Sequence, residues 1–422
     1  MKTDFNINVE SQNQKRRKKI LWIISELYYP ENNQTGYYMT QIAEGLTGNF
    51  DVKVICGQPN YAARGTQAPK KEFHKNVEIF RVWSTTLNKD VIFLRIVNML
   101  TLGVSIFVKT LIKIKLNDKI LVVSAPPSLP FTTALAAKFR GIKYSLVIQD
   151  KYPETLIAVG KTESNSFFVK TLNFLNKLLY RNSEKIVVVG RDMKELVKSQ
   201  IDKINSGSTP EIEVIQNWAS LEEIEPTPRE ENKLLKELGI LQKFVFLYAG
   251  NMGHPQDIES IFECVNKLKM DGRFHFLFIG GGVKRKWLEQ KVLTNELENI
   301  TILPPRPRSE QKVFLNACDV GFVTLVKKML GVAMPSRTYN FLAAGKPVLA
   351  LTEEGSEVAR VIEEDNVGWH VAPGEPEPLL QMIYQIYNER EHIAEMGIRA
   401  RFAALKKYSA QRAIEKYQRF LT

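Results

Sequence analysis

Cysteine is scarce in this chain of 422 residues. The three present, Cys56, Cys264 and Cys318, stand far apart with no CxxC pair among them. Disulfide frameworks and thiolate zinc sites need paired thiols, so the spacing argues against both, and a reducing cytoplasm is the expected compartment. Histidine is also sparse: five residues, each isolated, offer nothing for a His-rich metal centre. Neither a metal nor a cofactor is expected. Several sequence signatures are missing too. There is no strict GxGxxG followed by an acid, no GxxxxGK[ST], no GxSxG and no HExxH. A nicotinamide fingerprint, a P-loop ATPase, a nucleophile elbow and a zinc protease helix are thereby disfavoured. A long uncharged span is absent as well. In the most apolar stretch, 91–116, only 13 residues lie between Arg95 and Lys109, short of the ~20 that a spanning helix needs.

What is present is an ordinary globular composition, 44% hydrophobic and 25% charged, with enough apolar mass for two cores. Lys and Arg number 58 against 46 acids, a net charge of +12. That excess favours an anionic partner. No RRM, helix-turn-helix or finger pattern accompanies it, so nucleic acid is not expected and phosphate-rich substrates account for the charge. Near the N-terminus the cluster Lys15–Lys19 precedes ILWIIS (20–25). About six apolar residues are too few for a signal-peptide core of roughly 7–15. The run reads as a strand behind a disordered basic arm (1–18), which is either a solvated tail or a contact for anionic lipid headgroups.

Short Val/Ile-rich runs bounded by Gly, Pro or Asn then alternate with amphipathic stretches. The first series has strands at 20–25, 52–56, 77–83, 119–127, 144–150 and 185–190, with helices at 37–48, 128–140, 166–182 and 191–203. Runs apolar on both faces are what a parallel sheet covered by helices requires. The series restarts at VFLYAG (245–250) and continues through 275–282, 300–305, 320–325, 347–352 and 368–373, with helices at 256–270, 284–295, 309–318, 336–344, 355–364 and 376–390. Between the series, 205–232 reads as a short strand (Glu213–Gln216) followed by a linker. The expected fold is α/β: a first Rossmann-like doubly wound domain over 19–220, a second over 221–401, a cleft between their strand ends, and a helical segment 402–422 returning to the first domain. The stretch 91–116 reads either as a core helix or as an amphipathic helix in a bilayer interface. In the second case Arg95, Lys109, Lys113 and Lys115 would face headgroups, while Phe93, Leu94, Ile106 and Phe107 entered the acyl boundary.

Candidate ligand contacts gather at strand ends. Gly36 and Tyr37 follow the first strand, and Gly250-Asn251-Met252-Gly253 follow the first strand of the second series. Glycine there permits close backbone approach, though a plain structural turn explains it equally well. The segment Pro335-Ser336-Arg337 with Asn340 reads as a capped helix start whose N–H groups and guanidinium cradle a diphosphate, with Asn340 one turn on for a ribose hydroxyl. An ordinary capped helix with a surface Arg is the plainer alternative.

These pieces occur in an order that resembles the family 4 glycosyltransferases of the GT-B fold, in particular bacterial polysaccharide enzymes of the colanic-acid or aminosugar transferase type. The matching stretches are the YYPENNQTG loop, ICGQPNY (55–61), VSAPPSLP (123–130), the DxxPE motif from Asp150 to Glu154, VIQNWAS (214–220), YAGNMG (248–253), FIGGG (278–282), ACDVGFVTL (317–325) and PSRTYNFLAAGKPV (335–348). The resemblance spans Ile20 to about Arg401. It implies transfer of a hexose or N-acetylaminosugar from a nucleotide diphosphosugar, UDP-linked, to a lipid-linked or saccharide acceptor, with anomeric configuration retained. The implied setting is cell-surface polysaccharide or capsule biosynthesis at the inner, anionic face of the cytoplasmic membrane, with the enzyme peripherally bound. Implied donor contacts are Gly250, Asn251, Gly253, Arg306, Pro335, Ser336, Arg337 and Asn340; Gly36, Tyr37, Asp150 and Glu154 fall on the acceptor side. Arg337 and Asp150 are the implied catalytic groups. The usual basic pair is replaced by Asn251 and Gln256, and the usual Glu pair by Val332 and Asn340. A non-catalytic, nucleotide-sugar-binding relative is therefore the alternative.

Overall fold

A computed structural model describes residues 18–31, 33–59, 67–87, 91–202 and 209–422. The expected basic arm, apart from Lys18, and residues 205–208 of the linker lie outside these. The first series of runs forms β1 (Lys19–Ile24), β2 (Phe50–Cys56), β3 (Lys71–His74), β4 (Val77–Arg81), β5 (Lys119–Val123), β6 (Tyr144–Ile148), β7 (Lys185–Val188) and β8 (Glu211–Val214). They build one sheet in the order β3-β4-β2-β1-β5-β6-β7-β8. All its pairings are parallel except β3 with β4. Strand β3 is half polar and sits on the edge, so no apolar run announced it. Strand β8 begins two residues ahead of the expected Glu213.

The helices of this half are α1 (Gln34–Leu46), α2 (Ile92–Lys113), α3 (Leu129–Arg140), α4 (Glu154–Ala158), α5 (Phe167–Arg181) and α6 (Arg191–Asp202). Because successive strand residues point to opposite faces, β1 divides the core in two. Trp22 and Ile24 join Leu102 and Ile106 of α2 on one face. Leu21 and Ile23 join Tyr38 and Ile42 of α1 on the other. Helix α1 starts earlier than the expected 37 because the Asn33 side chain accepts from the Gly36 amide and caps it there.

The second series forms β9 (Phe244–Ala249), β10 (Phe274–Ile279), β11 (Ile300–Leu303), β12 (Val320–Thr324), β13 (Val348–Leu351) and β14 (Gly368–Val371), in the parallel order β11-β10-β9-β12-β13-β14. Its helices are α7 (Lys233–Glu237), α8 (Ile258–Lys267), α9 (Arg285–Thr294), α10 (Gln311–Leu315), α11 (Arg337–Ala343), α12 (Glu357–Asp365), α13 (Pro376–Asn388) and α14 (Ile393–Lys406). Helix α14 runs unbroken through residue 402 against α11, with Ala400, Ala403 and Ala404 buried. The return to the first domain therefore starts at Ser409, which bridges Ala219, and not at 402.

The final helix, α15 (Ala410–Leu421), packs on α1. Tyr417, Phe420 and Leu421 are buried with Trp218 in the first domain's core. Burial of Phe420 and Leu421 contributes about 2 kcal/mol each. Lys119 and Lys185 donate to the carbonyls of Leu421 and Phe420, placing cations at the helix's C-terminal end. Arg191 of the first domain donates to Glu357 of the second at 2.9 Å.

Candidate active site

A cleft of about 810 Å³ opens between the carboxyl ends of the two sheets, the place where doubly wound folds bind ligands. Among the described residues, four charged side chains line it: Arg306, Arg308 and Arg337 from the second domain and Asp150 from the first. The balance favours an anion.

On the second-domain side, β9 runs into Gly250 (φ +143°) and β10 into Gly280 (φ +156°), backbone conformations that L side chains rarely adopt. A Cβ on Gly280 would stand 1.9 Å from the Gly250 carbonyl oxygen, and one on Gly250 would stand 2.9 Å from Cζ of Arg337. Two bare turns thus nest together and leave room for Arg337 to fold over them. Its guanidinium lies 4.5 Å from the Tyr248 ring centroid, and Nη2 makes a long 3.5 Å approach to the Asn251 carbonyl. Nη1 is buried without a hydrogen-bond partner. A buried, unpaired, charged donor is costly unless something fills its site.

Three expected contributors behave differently from their sequence reading. The amides of Gly250 and Gly253 are already engaged, by the Ile279 carbonyl and by Gln256 Oε1. They hold the loop in shape and are not free for phosphate, and Gly253 lies off the cleft wall. Ser336 lines the cleft with Pro335 and Asn340, but its side chain makes no capping bond to α11. Its hydroxyl instead reaches the Tyr38 phenol of the first domain. Arg306 also lines the cleft, paired with Glu310 at 2.8 Å. Val332 packs with Leu325 and Met329 while its carbonyl accepts from the Lys151 amide, so its side chain is withdrawn from the cleft.

On the first-domain side, β6 delivers Gln149 and Asp150. The Asp150 backbone is pinned by a bridge to Ala333 and by the Ser124 hydroxyl, which leaves the carboxyl to face the cleft. It is exposed to solvent in the open cleft, and the walls on either side strip only part of its hydration. That desolvation pushes its pKa up to about 6 from an ordinary 3.8, and no cation offsets it. The other expected acceptor residues point elsewhere. A Cβ on Gly36 would stand 2.6 Å from the Glu31 carbonyl, so this glycine serves the close packing of its own loop. Tyr37 lies under the Arg308 guanidinium at 3.7 Å. The Glu154 carboxylate accepts from Gln200 of α6 and faces Lys151, drawn away from the cleft by that cation. In their place Asn33, Gln34 and Thr35 of the α1 start form this part of the wall.

Arg308, Gln149, Gln256 and Gly280–Gly282 are cleft residues that the donor and acceptor sets omitted. Among the described residues no group of three or more His, Cys, Asp and Glu side chains could hold a metal ion.

Residues 230–402 match the family model Glycosyl transferases group 1. The chain is 28% identical over 404 residues to a probable glycosyltransferase, WbjE, of Pseudomonas aeruginosa, covering 94% of this chain and 96% of that protein. It is 22% identical over 355 residues to the putative colanic acid biosynthesis glycosyl transferase WcaI of Escherichia coli K12, covering 80% and 84%. Among solved structures, HepE from Anabaena in complex with UDP-glucose superposes with a TM-score of 0.68 at 13% identity, over 95% of this chain and 99% of that one. The two facing Rossmann-like domains are the GT-B fold.

Proposed function

Because the second domain belongs to the glycosyl transferases group 1, we propose that the protein is a retaining glycosyltransferase of bacterial polysaccharide biosynthesis, moving a hexose or N-acetylaminosugar from a UDP-sugar to a lipid-linked or oligosaccharide acceptor. The observation that carries this reading is the buried, unpaired Nη1 of Arg337, set over two glycine turns in a cleft with two further arginines. Such a donor fits the charge that develops on a departing diphosphate, and fixed donors of this kind supply much of an enzyme's acceleration. The relative named for colanic acid biosynthesis and the UDP-glucose complex of a neighbour support the substrate class.

In the proposed step the bond from the anomeric carbon to the diphosphate oxygen breaks and UDP leaves with the electron pair. The acceptor hydroxyl bonds to the same face of the sugar, and its proton passes to the departing phosphate oxygen. One carboxyl in the cleft suits this route, since no pair of carboxylates is required. Asp150, ionised above about pH 6, would orient the acceptor and offset positive charge at the anomeric carbon. The test is incubation of the purified chain with radiolabelled UDP-sugars and a polyprenyl diphosphosugar, with the product anomer read by NMR. UDP release with transfer and retained configuration is expected. Donor binding without turnover would favour the non-catalytic alternative, and an inverted product would overturn the retaining step.

A further inference from the structure

Alternate residues of a strand share one face, so Leu146 and Ile148 of β6 and then Asp150 fall in a single row. Leu146 and Ile148 are buried in the same cluster as Leu129 of α3 and Leu179 of α5. The row does not end in close-packed side chains. A small cavity of about 30 Å³ lies where it meets those helices, walled by Pro130 and Phe131 of α3 and by Leu172 and Leu179 of α5. Asp150 and Tyr152 line this cavity and the large cleft alike, so the two adjoin at the carboxyl. Protein interiors leave few gaps wider than a water molecule, and one that adjoins a ligand cleft extends it.

Size and polarity decide what fits. The space suits about two water-sized groups. Water is a poor guest, because the polar atoms around it are already engaged. The Ser124 hydroxyl accepts from the Gln149 amide at 3.0 Å, Asn176 donates to the Tyr152 carbonyl at 2.6 Å, and Lys151 donates to the Tyr180 hydroxyl at 3.3 Å. A buried water needs roughly two to four partners of its own. Among the described residues, Asp150 is the one charged group on the lining. We propose that this slot takes a methyl group of the acceptor sugar, carried on the ring carbon next to the one whose hydroxyl Asp150 orients. Two sugar classes supply that chemistry: a 2-acetamido sugar through its acetyl methyl, and a 6-deoxyhexose through C6. The inference rests on the transfer reaction proposed above and names its acceptor class. It makes Phe131 and Leu172 the residues that set acceptor specificity, since both are half-buried, shape the slot and stand clear of the donor wall.

The test is saturation-transfer difference NMR on the full chain, with N-acetylglucosamine, fucose and glucose as probes. The acetyl methyl or the C6 methyl should take up the strongest saturation. Its sugar should bind about tenfold tighter than glucose, the worth of roughly one methyl in a fitted apolar pocket. Whichever of the two leads identifies the source of the methyl. Leu172→Trp fills the slot and should abolish the methyl preference. Phe131→Ala enlarges it and should shift the preference severalfold toward N-butanoylglucosamine. Circular dichroism and thermal unfolding check that each variant is folded, and Phe131→Ala decides the matter alone if Leu172→Trp is not. Equal binding or no binding of the three probes by wild type would overturn the slot. So would a methyl preference that survives Leu172→Trp in a folded protein, or no gain for the butanoyl sugar with Phe131→Ala. Calorimetry with UDP separates this failure from failure of the reaction. UDP binding with no methyl preference removes the slot alone, whereas a methyl preference without UDP binding keeps the slot and removes the transfer.

Discussion

The second-domain wall of the cleft is mostly backbone, two glycine turns with a guanidinium laid over them, whereas the first-domain wall is a strand end presenting a lone carboxyl beside the start of a helix. The first arrangement is rigid by construction. Gly250 and Gly280 interlock through main-chain contacts too close for any side chain, so Arg337 rests on a surface that cannot yield. The second is set by one strand terminus, with Asp150 held through its main chain and free at its carboxyl. Under the proposed reaction, the rigid cationic wall would bind the fixed phosphate group and the titratable anionic wall would answer the second, variable substrate.

That division can be broken at four places. Arg337→Ala should cost about 2–4 kcal/mol of transition-state stabilisation, roughly 30- to 1,000-fold in kcat/KM, if it behaves as the loss of one charge-stabilising donor. Arg337→Lys should restore only part, lacking the planar fork. A steady-state assay with Arg337→Ala within about twofold of wild type would remove this wall from the chemistry.

Asp150→Asn should lower kcat by about 100-fold, as expected for a positioned ionisable group, while leaving UDP affinity by calorimetry unchanged. Its pH behaviour sharpens the comparison. The folded pKa of about 6 lies above the ordinary 3.8, so the carboxylate form is lost as pH falls through 6. Wild-type activity should drop on that limb, and the residual activity of the Asn variant should be flat there. Stability runs the other way. Between about pH 4 and 6 the folded state holds the proton more tightly than the unfolded state, so wild-type stability decreases across that window as pH rises and the Asn variant is spared the loss. A changed UDP affinity in the Asn variant would mean that the two walls are not separate.

Asn340→Ala removes one neutral hydrogen bond on the cationic wall and should weaken UDP binding by about 1 kcal/mol with kcat nearly unchanged. Glu154→Gln should alter neither parameter more than about twofold, because the side chain bonds Gln200 and faces away from the cleft. A large effect there would return it to the acceptor site.

The sequence carried the architecture well because the central strands of both sheets are continuous Val/Ile/Phe runs, apolar on both faces. It placed Arg337 and Asn340 at the start of a short helix because Pro-Ser-Arg opens one in a recognisable run, and both line the cleft. It offered Arg308 only as a reserve cation for the diphosphate and could not show its place over Tyr37, which joins two residues far apart in the chain and in different domains. Nor could it tell that the Gly250 and Gly253 amides are spent on their own loop, since hydrogen-bond partners of a turn are settled by the strand beside it. The phase of α2 was misread at Ile106 for a related reason: apolar side chains stand on both of its sides, and only the fold decides which side meets the sheet. The sparse polar side chains held the answer, for Asn98 and Thr110 lie on the buried side with Leu102 and Ile106.

One feature of the connectivity reaches beyond the folded state. Helix α15 fills the core of the first domain, yet it is synthesised after the whole of the second. The domain that leaves the ribosome first therefore cannot close first. Until Tyr417, Phe420 and Leu421 arrive, the groove beside α1 and Trp218 stays open on the nascent chain, while the second domain has every strand and helix it needs to finish ahead of it. The core of the first domain is thus completed by the last helix of the chain to be synthesised.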